Sequence, residues 1–125
     1  GVTFSEDEVG SINSNMFKQY FTGDIEYLSD RYGNLGMHCC ASARHQWEHF
    51  KNIKNLKVIN IVQPRKIVEE ANEYFKDTCV MVHDYVNEDY VSWTTKFPDT
   101  RMIFIVIATD RDDALRKLEL FRNNR

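Results

Sequence analysis

The feature that most limits what this chain can fold into is a run of six apolar residues, Met102-Ile103-Phe104-Ile105-Val106-Ile107, set shortly before a stretch with helical spacing. Apolar residues in unbroken succession, rather than in alternation, mark a strand covered on both faces, as in a parallel sheet with helices packed against it. Residues 35–40, 57–62 and 79–82 are shorter strands of the same kind, and each precedes a helical segment. Ser42 is placed to cap a short helix carrying Ala43, Trp47 and Phe50. Pro64 suits the first position of a helix carrying Ile67, Val68, Ala71, Tyr74 and Phe75, where no backbone N–H is needed. Residues 87–93 read as a short helix ended ahead of Pro98, and Asp110 or Asp112 opens a last helix through Ala114, Leu115, Leu118 and Phe121.

Towards the start, Met16, Phe17, Tyr20, Phe21, Ile25, Leu28 and Tyr32 recur at steps of three and four. That spacing predicts one long amphipathic helix over 16–32, capped by Asn13 or Ser14 and stopped at Gly33. Residues 2–4 predict a further short strand. Strands separated by helices of about ten residues imply right-handed parallel crossovers. The expected fold is therefore α/β, with repeated βα units on a parallel sheet in a single domain over 1–125. An open doubly wound sheet and part of an eight-stranded βα barrel both fit, and both gather chemistry at the carboxyl ends of the strands.

Composition removes several functions. The 16 Lys and Arg are scattered among 19 Asp and Glu, for a net charge of −3, so no basic footprint for nucleic acid is present. No apolar run reaches the ~20 residues that span a bilayer, and the first residues given lack the basic and apolar regions of a signal peptide. With Cys39, Cys40 and Cys79 odd in number and two of them adjacent, a reducing, cytoplasmic setting is expected, with the thiols acting as core residues or metal ligands. A start at Gly1 without methionine suggests a processed form or a piece of something longer.

The strand end Met37-His38-Cys39-Cys40-Ala41 carries the strongest chemical signal. Alternation puts His38 and Cys40 on one side and Cys39 on the other, and imidazole nitrogen with thiolate sulfur is a donor set that zinc favours. The competing reading has the cysteines packed as small apolar side chains and His38 satisfied by a backbone carbonyl. His45-Gln46-Trp47-Glu48-His49 matches the H-x-x-E-H form of inverted zinc peptidases. Its helix is only about two turns long and has polar neighbours, so a solvated helix face is the better account. Val82-His83-Asp84-Tyr85 places a His and a carboxylate at another strand end, and Gln63 occupies the matching place after the third strand. Asp84 is a weak catalytic candidate that could orient a ligand or His38. Glycine-rich phosphate loops and the G-x-S-x-G elbow are missing.

Taken in order, Phe4-Ser5-Glu6-Asp7, the helix from Asn13 with Met16 and Phe17, His38-Cys39-Cys40, and Val58-Ile59-Asn60-Ile61 with Gln63-Pro64 resemble the C-terminal half of the uroporphyrinogen decarboxylase superfamily. They are closest to its cobalamin-linked methyltransferase branch, which carries H-x-C at this strand end. The resemblance implies the C-terminal half of a (β/α)8 TIM barrel, with His38 and Cys40 as zinc ligands. It also implies a thiol substrate bound as thiolate, and a corrinoid methyl donor on a partner protein. Members are much longer than this chain, which implies that the first strands are absent, that the isolated chain is inactive, and that it self-associates or pairs with the missing half. Two departures stand out. No cysteine near the last strand supplies the family's third ligand, for which Asp110 is an oxygen alternative and a helix cap the simpler reading. Ala41 and Ser42 also replace the usual Gly-Asn. A non-catalytic family member that acts as a binding or assembly module is the alternative function.

Overall fold

The computed structural model describes residues 1–84 and 90–123. Five strands, β1 (Val2–Ser5), β2 (Leu35–Cys39), β3 (Leu56–Ile61), β4 (Val80–Asp84) and β5 (Met102–Ile105), form one sheet in the order β1-β2-β3-β4-β5. Every pairing is parallel. Six α-helices accompany them: α1 (Ser14–Tyr20), α2 (Thr22–Tyr32), α3 (Trp47–Asn52), α4 (Arg65–Phe75), α5 (Tyr90–Lys96) and α6 (Arg111–Asn123). The chain is thus α/β with repeated βα units. A sequential strand order has no point at which the winding reverses, so the doubly wound alternative falls away.

Right-handed crossovers in a sequential sheet leave every helix on one face. Burial agrees: Leu35, Met37, Cys39, Ile59, Ile61 and Met81 form one buried cluster with Phe17, Ile25, Trp47, Phe50, Ala71 and Phe75 from the helices. By alternation, Thr3, Ser5, His38, Val58, Asn60, Val80, Val82, Asp84, Ile103 and Ile105 lie on the opposite face. Among the described residues, that face carries no helix. The expectation of strands covered on both sides therefore holds only on the helical side, and Ile103, Ile105 and Ile107 stand 47%, 47% and 64% exposed.

Local signals explain most element ends. The Asn13 side chain accepts from Met16 N at 2.9 Å and caps α1. Gly33, at φ 84°, closes α2 with its N–H on the Ser29 carbonyl at 2.8 Å. The single helix expected over 16–32 is instead two, broken at Phe21, two residues before Gly23, whose low helix propensity weakens the ladder there. Ser42 does not cap: the Ala43 carbonyl starts a 3-10 turn, Arg44–Gln46, which leads into α3. Pro64 stands one place outside α4, its carbonyl accepting from Ile67 N at 2.8 Å and Val68 N at 3.2 Å. The expected helix start at Asn87 lies outside the described residues, and α5 continues to Lys96.

Candidate metal centre

The carboxyl ends of β1 and β2 lie side by side because Ser5 is registered opposite His38, and Glu6 N donates to the His38 carbonyl at 2.9 Å. Chain leaving β1 thus passes directly beside the His38-Cys39-Cys40 turn. Asp7 is fixed there by hydrogen bonds: Cys40 N donates to Oδ1 at 2.7 Å, and the Ser5 hydroxyl donates to Oδ2 at 3.2 Å. The next turn, Glu8–Ser11, packs so closely on the second loop that a Cβ at Gly10 would stand 2.7 Å from the Ala41 Cβ. Glycine is what lets the two loops approach.

This closure gathers a carboxylate oxygen of Asp7, a ring nitrogen of His38 and the Cys40 sulfur, all within 4.8 Å of one another. Asp7 and His38 are half-buried and Cys40 is exposed, so the cluster opens to solvent on one side. Oxygen, nitrogen and sulfur donors at this spacing suit a divalent ion of zinc's kind, with room for a further ligand. The donor set therefore fits zinc. Hydrogen bonds from the Cys40 backbone and side chain hold the Asp7 carboxyl below its ordinary value, with a smaller contribution from His38. In return, the Asp7 hydrogen bond pushes the Cys40 thiol up. Burial, then the charges of Glu8 and Asp7, raises Glu6.

The His38 ring is oriented from β3. Asn60 Nδ2 donates to the Val82 carbonyl at 2.9 Å, which turns Oδ1 towards His38 Nδ1 at 2.5 Å. An amide oxygen there requires the proton on Nδ1, so Nε2 keeps the ring's lone pair. Gln63, two residues past β3, donates to the Cys40 carbonyl at 2.5 Å and ties the turn down from the other side. Asp84 lies on the same open face as His38 but two strands away, and the ring's partner is Asn60.

Other sequence candidates take different places. His83 is buried on the helical face, its Nε2–H donating to Asn72 Oδ1 at 3.2 Å. Asp110 accepts from Asp113 N at 2.9 Å and caps α6, as the simpler reading had it. In the H-x-x-E-H segment, His45 Nε2 donates to the Ile12 carbonyl at 2.9 Å and His49 packs on the Phe17 ring, so the pair does not converge on an ion. Cys39 and Cys79 are buried, and burial pushes both thiols up to about 11, so they pack as core residues. Asp7 and Asn60 are the residues that sequence reasoning missed. The available signal for Asp7 was a carboxylate just past the end of the strand preceding the H-x-C strand.

No protein-family model, curated protein or solved structure was found to match the chain. Fold and site together define its class: an all-parallel βα protein with an Asp/His/Cys cluster at the carboxyl ends of adjacent strands.

Proposed function

We propose that this chain supplies the metal-holding strands of a zinc-assisted, corrinoid-linked methyltransferase of the uroporphyrinogen decarboxylase-like kind, acting on a thiol. The observation that carries this reading is the convergence of Asp7, His38 and Cys40 donors within 4.8 Å at the end of the sheet where parallel βα folds collect their chemistry. Asp7 takes the place of the cysteine that the resemblance leads one to expect as third ligand. When bound, zinc supplies Lewis acidity that lowers a thiol's pKa and holds it as thiolate. Asn60 fixes the His38 tautomer, and the Cys40 and Ser5 donors orient the Asp7 carboxylate. The thiol substrate enters from the exposed Cys40 side, and the corrinoid donor arrives on a partner protein. In this reading the remaining strands of an eight-stranded barrel come from outside these residues, and the isolated chain does not turn over.

A second reading, a non-catalytic binding or assembly module, is favoured by one specific observation. Both Asp7 oxygens already have donors in Cys40 N and the Ser5 hydroxyl, so the cluster is held without an ion. Zinc stoichiometry by elemental analysis, on protein purified without a metal-binding tag, separates the two. Near one zinc per chain, lost in His38→Ala and Asp7→Ala, is the expected result. No zinc after loading under reducing conditions would overturn the methyltransferase reading and leave the module.

A further inference from the structure

The other end of the molecule holds a cavity of about 950 Å³, between α5 and α6 over the start of β5. Its size falls within the range of small-molecule sites. Phe97, Met102, Phe104, Leu118 and Phe121 supply an apolar floor and wall. The floor is preformed: the Phe104 ring is stacked with His83 at 5.4 Å and lies against Phe121 at 5.3 Å, while Phe97 stacks on Trp93 at 5.7 Å. α6 buries none of its residues, so its apolar side is not sealed onto the sheet.

Two arginines, Arg101 and Arg122, line the same cavity, and among the described residues no carboxylate does, in a chain of net charge −3. They meet because α6 runs back along β5, which brings its last turn beside the residue that precedes the strand. Neither arginine has an ion pair among the described residues. Thr94 and Thr95 also line the wall, but each hydroxyl proton is spent on the Val91 carbonyl, at 2.9 Å and 3.0 Å. The arginines are therefore the cationic donors of the cavity, and guanidinium forks are matched to carboxylates.

We propose that the α5–α6 cavity binds an amphipathic carboxylate, its hydrocarbon or aromatic body on Phe97, Phe104 and Phe121 and its head on Arg101 and Arg122. This site is separate from the Asp7/His38/Cys40 cluster, which stands at the carboxyl ends of β1 and β2. The test uses the whole chain with the uncharged dye Nile red as the fluorescent probe, displaced by decanoate or by its neutral analogue decanol. Decanoate is expected to displace the probe at a concentration lower than decanol by about tenfold or more, the range of a charge-assisted contact. Arg101→Gln with Arg122→Gln is expected to erase that difference while leaving decanol unchanged. Leu118→Glu, at a half-exposed position on the cavity wall, is expected to abolish decanoate displacement. Equal displacement by acid and alcohol, a decanoate preference that survives the arginine substitutions, or no displacement because a second copy closes the cavity would each overturn the proposal.

Discussion

Burial pushes the His83 imidazole down to about 4 despite the opposing charge of Asp84. Because the folded value lies below the ordinary 6.5, the unfolded chain takes up the proton first as pH falls. His83 therefore has no effect on stability above pH 6.5, costs progressively more between there and about 4, and leaves the fold about 3 kcal/mol weaker below that. Urea unfolding followed across this window is expected to show the decline, and His83→Phe is expected to flatten it. The same contrast of burial sorts the cysteines. Cys39 and Cys79, buried and pushed up to about 11, are expected to resist a thiol reagent in the native state, while exposed Cys40 is modified first. Mass spectrometry after brief native alkylation checks this, and early labelling of all three would contradict it. His83 and Cys40 were both visible in the sequence as strand-end residues. Which of them faces the helices follows from alternation once the register is known.

Among the elements, helix and strand identity were largely readable, because periodicity, caps and Gly33 act over a few neighbouring residues. The misread ends have local causes as well: Phe21 interrupts a helix weakened by Gly23, and Ala43 rather than Ser42 leads the turn into α3. What periodicity leaves out is how one loop leans on another. Gly10 makes the point, since it looks like an ordinary loop glycine and yet it sets the approach of the β1 loop to Ala41. Gly10→Ala is expected to destabilise the fold by about 1–2 kcal/mol, the cost of overpacking a close contact. By displacing Asp7 it should also weaken the zinc binding proposed above. Thermal melts with and without zinc read both effects, and an unchanged zinc-dependent shift would separate Gly10 from the site.

For the whole molecule, the helix-free face is the feature with the widest consequence. Ile103 and Ile105 are exposed on it, and among the described residues β1 and β5 each end the sheet with an unpaired strand edge. Association that rises with concentration is expected in light scattering and should be suppressed by Ile105→Lys. A monodisperse monomer at high concentration would count against it. No helix of the described residues is long and apolar enough to cross a membrane. The amino-acid sequence by itself determined the alternation of strands and helices, the parallel pairing, and the place of His38 and Cys40 at a strand end, because these follow from short-range spacing. Only the tertiary structure decided the sequential strand order, the bare face, and the partners brought from afar. Asp7 lies 33 residues before Cys40, and Asn60 lies 22 after His38. Register across parallel strands is set by how whole helices pack between them, and that packing leaves no periodic mark in the chain.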